Sequence, residues 1–389
     1  RPGDRVAILA SNCPEWLVAF FATVSLGAIA VGMNAWWTGD EILYAIDDAD
    51  PKLLVIDRKR LARLDGTPPR LPLVIVEEGF EELASARAGE ELPHAAIAGE
   101  DPALILYTSG TTGRPKGVVH AHANITSMIM TSFFHGARMA VAYPAPPASD
   151  GTVPKPAILV TSPLFHVSGL HTAAIVALAA GTKSVWPMGR FDPALLLSLI
   201  ERERITGWGY TVTMLHRVVN HPDVGRYDLS TLRLVGGGGS PIPPRLQARA
   251  RTAVPAIART LGVGYGLTEA TAFTTLNVGE ELTLHPDSSG RPVPVAEVSI
   301  RDSEGREVPE GQDGEIHVRG PLVMKEYWRN SEATAEAIRE GRWLRTGDIG
   351  AMRGGRLYLA SRKRDLILRG GENVNPAEIE RRLEEHPGV

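Results

Sequence analysis

The fold is decided by the stretch Tyr107-Thr108-Ser109-Gly110-Thr111-Thr112-Gly113-Arg114-Pro115-Lys116-Gly117, which follows the apolar run Ala103-Leu104-Ile105-Leu106. Glycines allow backbone N–H groups to approach an anion closely, hydroxyls donate hydrogen bonds to its oxygens, and Lys116 adds a compact positive charge. The apolar run predicts a buried strand. Because ligands of α/β sheets bind at the carboxyl ends of strands, the stretch indicates an α/β fold with a polyphosphate-binding loop.

This stretch differs from the Walker motif, since Lys116 follows Pro115 and is itself followed by a residue without a hydroxyl. A flexible surface loop would explain any shorter piece of it. The complete stretch, however, resembles the phosphate loop of the adenylate-forming (AMP-binding) superfamily, which includes acyl-CoA synthetases, adenylation domains of peptide synthetases and firefly-luciferase-like enzymes. The resemblance implies a catalytic role for Lys116. It also implies nucleotide-binding roles for Thr108, Ser109, Gly110, Thr111, Thr112 and Gly113.

Composition favours a globular enzyme of more than one lobe. The chain has 389 residues, of which 43% are hydrophobic, and its net charge of −4 argues against nucleic acid as a partner. The single cysteine, Cys13, excludes an internal disulfide. The longest apolar stretch, 16–31, is interrupted by Gly27, which predicts a core helix and no integral membrane segment. No signal peptide is recognisable, and we expect a cytoplasmic protein.

The order of predicted elements indicates an α/β fold whose N-terminal lobe holds two α/β sheet subdomains and a β-rich subdomain at about residues 290–360. Residues 118–130 are expected to form a helix, and the proline-rich residues 143–156 an exposed insertion. The resemblance divides the chain into a large AMP-binding domain, 1–361, and a hinge with the start of a small α+β C-terminal domain, 362–389. One strand and one helix cannot bury a core by themselves, so this last part predicts an incomplete domain.

A second motif is Tyr265-Gly266-Leu267-Thr268-Glu269, which follows the apolar run 261–263 and is expected on a loop after a strand. Taken alone, it is better explained by a helix start, with Thr268 as the cap and Glu269 in the first turn. In the family, the Glu of Y-G-x-T-E helps to hold Mg²⁺ and the Thr contacts the α-phosphate. The resemblance therefore implies that Glu269 is the metal ligand and a catalytic residue. It also implies that Thr268 is a catalytic phosphate donor and that Tyr265 and Gly266 line the nucleotide site.

Three further motifs occur in the order that the family shows. The glycine run 236–239 would let a flat ring lie against bare backbone. The family uses the corresponding loop beside adenine and the acyl pocket, so the resemblance implies nucleotide contacts for Gly237, Gly238, Gly239 and Ser240. Thr346-Gly347-Asp348 resembles the family's T-G-D, which implies that Asp348 accepts hydrogen bonds from both ribose hydroxyls. Ser361-Arg362-Lys363-Arg364-Asp365 resembles the family's hinge, in which Arg362 would reach the ribose or the phosphates. Each motif alone is also explained as a turn or a solvated basic linker.

An aromatic motif, Pro163-Leu164-Phe165-His166-Val167-Ser168-Gly169, completes the set. The resemblance implies that His166 is a gate or orienting group between the carboxylate and thiol channels. A structural histidine is the alternative. His120 and His122 are expected to be packing or surface residues.

Together these motifs imply an ATP-dependent acyl-CoA synthetase, an acid–thiol ligase that looks like fatty-acyl or aryl-CoA ligases and would serve fatty acid metabolism. It would use ATP, Mg²⁺ and CoA and activate a small-molecule carboxylic acid, and a homodimer is one conceivable assembly. Two alternatives stay open: an adenylation module that loads a carrier protein, and a non-catalytic nucleotide-binding remnant. The family's closing lysine lies beyond Val389, so we expect the isolated chain to adenylate slowly.

Overall fold

The computed structural model describes residues 1–64, 66, 69–108, 114–144, 155–362, 367–369 and 372–374, together with Ile379 and Leu383. Phosphate-loop residues 109–113 and most of the predicted insertion lie outside the described residues. So does the predicted C-terminal helix, 376–385, apart from Ile379 and Leu383.

The described strands, in chain order, are β1 (Arg5–Leu9), β2 (Ile29–Gly32), β3 (Leu53–Ile56), β4 (Leu73–Ile75), β5 (Pro102–Thr108), β6 (Lys116–Ala121), β7 (Ala157–Leu159), β8 (Lys183–Val185), β9 (Gly207–Tyr210), β10 (Leu234–Gly238), β11 (Leu261–Tyr265), β12 (Thr275–Val278), β13 (Arg291–Pro292), β14 (Glu297–Arg301), β15 (Gly314–Arg319), β16 (Glu326–Tyr327), β17 (Ile338–Arg339), β18 (Trp343–Arg353), β19 (Arg356–Arg362), β20 (Ile367–Arg369) and β21 (Glu372–Val374).

The described α-helices are α1 (Pro14–Ser25), α2 (Gly39–Ala49), α3 (Arg58–Leu61), α4 (Phe80–Ser85), α5 (His122–Ala142), α6 (Val167–Gly169), α7 (Val176–Ala179), α8 (Pro193–Arg202), α9 (Val212–Val219), α10 (Pro244–Ala253), α11 (Glu280–Leu284) and α12 (Ser331–Ala337). A π-helical segment, Leu170–Ile175, joins α6 to α7. Within the described ranges, no helix combines the length and the apolar character that crossing a bilayer requires.

Three sheets organise the chain. The first has the order β16-β6-β5-β2-β1-β3-β4, and the second the order β13-β12-β11-β10-β9-β7-β8. In each, the central strands are parallel and the strands at one edge run antiparallel. The third sheet, β14-β15-β18-β17 with β19 on β18, is antiparallel. The two α/β subdomains and the β-rich subdomain predicted from the sequence are thereby confirmed.

Parallel strands direct their carboxyl ends to one edge of each sheet, and this arrangement positions the motifs. The phosphate-loop stem lies at the end of β5 in the first sheet. In the second sheet, the glycine run forms the end of β10, and the Y-G-x-T-E motif begins at the end of the neighbouring strand β11. Loops at such edges form the ligand sites of open α/β sheets. The topology therefore places motifs that are far apart in the sequence at the carboxyl ends of parallel strands.

The apolar stretch 16–31 forms a core helix and a strand, as expected. Trp16 and Phe20 of α1 are 0% and 2% exposed and pack with the first sheet. Gly27, with a φ of 68°, turns the chain between α1 and β2, a conformation that favours glycine. Burial of such large side chains stabilises the fold by about 1.5–3 kcal/mol each.

The predicted helix 118–130 is wrong in its first part. Residues 116–121 form β6, which pairs antiparallel with β5, and the helix α5 begins only at His122. Val118 and Val119 are β-branched and 0% exposed, and they complete the hydrogen bonds of the β5 edge. The side chain of Asn124 accepts a hydrogen bond from the Ala121 amide at 2.8 Å, which marks the helix start.

Candidate active site

The two ends of the phosphate loop face each other across a strand pair. Thr108 ends β5, Lys116 begins β6, and the two residues are direct partners in the antiparallel register. The stem therefore brings the predicted catalytic lysine and the first predicted nucleotide-binding residue together. Ser109, Gly110, Thr111, Thr112 and Gly113 lie outside the described residues, so their roles stay predictions.

Helix α2 holds both sides of this stem. The Tyr107 hydroxyl donates a hydrogen bond to Asp48 Oδ2 at 2.6 Å, and the Tyr44 hydroxyl donates one to the Pro115 carbonyl at 3.2 Å. The guanidinium of Arg114 lies 5.4 Å from the centre of the Tyr44 ring. Tyr44 and Asp48 are four residues apart, which places them on one face of the helix. One rigid helix thus fixes where the loop leaves and re-enters the sheet.

Glu269 lies in a charged cluster with residues from two other strands. Its Oε1 accepts a hydrogen bond from the Tyr327 hydroxyl at 2.9 Å, and the Lys116 ammonium lies 5.1 Å from the centre of the Tyr327 ring. Burial raises the pKa of Glu269; hydrogen bonds and the charge of Lys116 oppose this rise, while Asp348 adds to it. Burial and the Glu269 charge raise the pKa of Tyr327, which keeps its hydroxyl protonated as a donor. A cation would relieve the unfavourable charge on the two carboxylates.

Thr268 starts a one-turn 3₁₀ helix, Thr268–Ala270, that carries Glu269. The residue before this turn is Leu267, and its side chain makes no capping hydrogen bond. The alternative of a helix capped by Thr268 is therefore wrong. The Thr268 carbonyl accepts a hydrogen bond from Nε2 of His120 at 2.7 Å. A phosphate contact by the Thr268 hydroxyl stays a prediction.

A hydrogen bond joins the Y-G-x-T-E motif to the T-G-D motif. The hydroxyl of Tyr265, at the end of β11, donates to Asp348 Oδ2 on β18 at 2.8 Å. Gly266 follows where a Cβ atom would clash with the Ala272 carbonyl. Arg362 is the register partner of Asp348 in the β18–β19 pair, but its side chain lies outside the described part of the chain. The structure thus brings Tyr265 and Asp348 together, as a shared nucleotide site requires.

The glycine run lies largely within β10 and only its end reaches a loop. A Cβ atom on Gly237 would clash with the Tyr210 ring, and one on Gly238 would lie 2.8 Å from a carbonyl oxygen of β11. Packing inside the second sheet therefore requires these two glycines whether or not a nucleotide binds. Gly239, with a φ of 85°, and the exposed Ser240 follow at the carboxyl end of β10. Adenine contacts for this run stay predictions.

His166 belongs to an aromatic group separate from the Glu269 cluster. Its ring centre lies 4.7 Å from that of Phe165 and 6.2 Å from that of Trp36, whose own ring meets Phe165 edge-on at 5.2 Å. Burial lowers the pKa of His166, which favours the neutral imidazole. The Phe165 backbone lies 3.6 Å from where a Cβ on Gly32 would stand, and Gly32 is the β2 partner of Leu106 in β5. The aromatic motif therefore lies beside the strand that leads into the phosphate loop.

A cavity of about 150 Å³ opens next to this aromatic group. It lies between the carboxyl ends of strands from the first two sheets. Its lining includes Ser11, Asn12, Trp36, Phe165, Arg190 and Asp192.

Two residues near the predicted site, Tyr327 and Asp48, escaped sequence reasoning, and for a third, His120, only its packing was expected. Tyr327 contacts Glu269 although its strand is only two residues long and carries no motif. Asp48 accepts a hydrogen bond from the Tyr107 hydroxyl but lies in no motif. His120, expected as a packing or surface residue, is 0% exposed and bonds to the motif loop. The small and apolar residues on both sides of His120, Gly117-Val118-Val119 and Ala121, are the signal that could have indicated its burial.

Comparisons with known proteins agree with this geometry. A family model for AMP-binding enzymes matches residues 1–328. The chain is 34% identical over 394 residues to a feruloyl-CoA synthase of Amycolatopsis sp., covering 100% of this chain and 74% of that protein. It is 33% identical over 397 residues to the long-chain-fatty-acid–CoA ligase FadD13 of Mycobacterium tuberculosis, with the same coverage.

A solved structure shares the fold. This is the o-succinylbenzoate CoA synthetase MenE from Bacillus subtilis in complex with the acyl-adenylate intermediate OSB-AMP. The TM-score is 0.83 at 30% sequence identity, and the match covers 100% of this chain and 74% of that one. The relatives are acyl-CoA and aryl-CoA ligases, and the structural neighbours are adenylate-forming enzymes. The chain belongs to the family of AMP-binding enzymes.

Proposed function

We propose that the protein is an ATP-dependent, AMP-forming acyl-CoA synthetase that activates a fatty or aryl carboxylic acid. The observation that carries this proposal is the convergence of Lys116, Tyr327 and Glu269, with Tyr265 bound to Asp348. These residues come from all three sheets and meet beside the phosphate-loop stem. Their chemistry, one cation, two carboxylates and two hydroxyl donors, suits a magnesium-bound nucleotide.

The reaction has two displacements. A carboxylate oxygen of the acid would attack the α-phosphorus of ATP, the bond from that phosphorus to the β-phosphate oxygen would break, and pyrophosphate would leave. The CoA thiol would then lose its proton to solvent and its sulfur would attack the acyl carbon of the adenylate. The bond from that carbon to the phosphate oxygen would break, and AMP would leave. Both steps develop negative charge on phosphate oxygens. Lys116 and the Thr268 hydroxyl would stabilise this charge, and such donors typically contribute about 10²–10³ in rate each.

Mg²⁺ fits the donor chemistry of Glu269, because this ion takes one or two carboxylates together with substrate phosphates. When bound, it would neutralise charge on the phosphates. Glu269 would hold the ion, and Tyr327 would fix the orientation of the carboxylate through its hydrogen bond. Asp348 would accept hydrogen bonds from the ribose hydroxyls, while Tyr265 fixes its position.

The cavity beside His166 supports an approach for the acceptor thiol. It opens against Trp36 and Phe165, which pack on the His166 ring, and Arg190 in its lining could attract the phosphates of CoA. We propose that His166 separates the acid from the thiol. A neutral imidazole fits this role, since burial lowers its pKa.

Acid-dependent exchange of label between pyrophosphate and ATP, measured on the full-length gene product with fatty and aryl acids, tests the first step. Exchange with at least one class of acid, followed by CoA-dependent AMP release, is the expected result. Absence of exchange across the whole panel would refute the proposal. Trapping of the adenylate with hydroxylamine, with and without CoA, separates the carrier-protein alternative, because a carrier-loading module would ignore CoA.

We also propose that residues 1–361 form the AMP-binding domain and that 362–389 are the hinge and the beginning of a second domain. In that case the isolated chain would bind MgATP but adenylate slowly. Calorimetry on residues 1–389 tests the binding. Adenylation by residues 1–389 alone at the rate of the full-length protein would contradict this proposal.

A further inference from the structure

Two fully buried histidines lie behind the loop that carries Glu269. His120 on β6 and His171 in the π-helical segment are 0% and 1% exposed, and their ring centres are 5.1 Å apart. Nε2 of His120 lies 2.7 Å from the Thr268 carbonyl oxygen, and Nδ1 of His171 lies 3.0 Å from the Thr271 carbonyl oxygen. Both residues therefore contact the same short loop, one on each side of Glu269.

These contacts fix the protonation of each ring. A carbonyl oxygen only accepts, so His120 must carry its proton on Nε2 and His171 on Nδ1. Burial lowers the pKa of His120 to about 4 and that of His171 to about 3. Both rings are consequently neutral donors at physiological pH. Their other nitrogens have no hydrogen-bond partner among the described residues.

The loop they contact is not held by regular secondary structure. After the turn Thr268–Ala270, Thr271 and Ala272 have φ values of 59° and 154°, in the region that disfavours residues with a Cβ atom. Such a conformation persists only where its surroundings impose it. Besides the Tyr327 hydrogen bond to Glu269, the Met324 amide donates to the Glu269 carbonyl at 2.8 Å and the Thr271 hydroxyl donates to the Leu322 carbonyl at 2.6 Å.

At an ordinary core position an apolar residue would stabilise the fold more than a histidine, because a buried polar group costs free energy unless it is hydrogen-bonded. Here each histidine directs its single N–H at a carbonyl of the loop that carries Glu269. We propose that His120 and His171 are positioning residues that fix the backbone on both sides of Glu269 and so aim its carboxylate at the metal. This inference rests on the proposed function, because the proposed function makes Glu269 the metal ligand.

The two ring geometries allow a matched test. A glutamine amide nitrogen can replace Nε2 of His120, whereas an asparagine amide nitrogen is too short for it. The reverse holds at His171, where asparagine matches Nδ1 and glutamine is too long. His120→Gln and His171→Asn should therefore keep the loop in place, and His120→Asn and His171→Gln should release it. His120→Leu and His171→Leu remove the donor altogether.

Acid-dependent ATP–pyrophosphate exchange of the full-length protein, titrated with Mg²⁺, provides the measurement. We expect the leucine variants and the mismatched amides to lose about 10–100-fold in kcat and to need more Mg²⁺, because small misplacements of catalytic groups cost up to about 10². KM for the carboxylic acid should change less than about threefold. The matched amides should recover kcat to within about threefold of the wild type.

Gln247→Leu is the control for general loss of a buried donor. Gln247 of α10 is 1% exposed and donates to the carbonyls of Ile242, just before α10, and Pro286, just after α11. It should lower the melting temperature without changing the Mg²⁺ dependence. Equal kcat in matched and mismatched amides, with wild-type exchange intact, would overturn the inference alone. Absence of exchange in the wild type would instead overturn the proposed function, and the inference with it.

Discussion

Replacing Glu269 with glutamine is the most direct test of the site. Glutamine keeps the size of the side chain and an oxygen that can accept from Tyr327, but it removes the charge that would bind Mg²⁺. Burial raises the pKa of Glu269, so the folded state disfavours the ionised carboxylate. At neutral pH, Glu269→Gln should therefore leave the melting temperature unchanged or slightly raised.

The rate of adenylation, in contrast to the melting temperature, should fall. Loss of a charge that stabilises the transition state typically costs about 2.7–4 kcal/mol, which corresponds to about 10²–10³ in rate. Exchange of labelled pyrophosphate into ATP, measured against Mg²⁺ concentration, should fall by this factor and recover little with excess metal. Glu297→Gln is the control, because Glu297 forms an exposed ion pair with Arg319 on the third sheet. Exchange by Glu269→Gln within threefold of the wild type would refute Glu269 as the metal ligand.

Three other changes test separate parts of the structure. Tyr44→Phe removes the hydrogen bond to the loop stem, worth about 1 kcal/mol, and calorimetry should show ATP binding weakened about fivefold. Tyr143→Phe is the control, because the Tyr143 hydroxyl accepts a hydrogen bond from the Glu280 amide at 3.2 Å, outside the stem. An equal effect in this control would contradict the role of α2. Asp348→Ala should weaken ATP binding about 10–100-fold, given about 1.5–3 kcal/mol for hydrogen bonds to a charged group. Binding of 2′,3′-dideoxy-ATP should not change, and parallel losses for both nucleotides would exclude ribose contacts. Burial lowers the pKa of His317 to about 4, so the unfolded chain takes up a proton first as pH falls below 6.5. Stability is then lost between pH 6.5 and about 4, and His317→Gln should flatten this decline in melting temperature; identical curves would show that His317 does not contribute.

Much of the fold could be predicted because hydrophobic runs and turn residues are local signals. The β1 strand, the α1 helix and the break at Gly27 follow from spacing within a few residues. The β6 strand could not, because Val118 and Val119 become a strand only when the β5 edge offers them hydrogen-bond partners. The secondary-structure propensities of residues 118–130 do not reveal that this pairing is available.

The residues of the candidate site also divide into those that the sequence alone indicated and those that depend on distant contacts. Tyr265, Glu269 and Asp348 were predicted because they lie in motifs that resemble those of the family, and the structure joins Tyr265 to Asp348 by a hydrogen bond. Tyr327 was missed because its contact with Glu269 depends on a pairing between distant parts of the chain. Gly237, predicted as an adenine contact, is also required by the packing of the Tyr210 ring, and its contact with adenine stays a prediction.

The short strand β16 has a consequence for the order in which the protein can assemble. Glu326 and Tyr327 pair with Val119 and Val118. The edge of the first sheet therefore stays incomplete until a segment that is synthesised much later has been made. Closing so long a loop is entropically costly and slow compared with pairing of neighbouring strands. Until this segment pairs, Glu269 lacks the hydrogen bond from Tyr327.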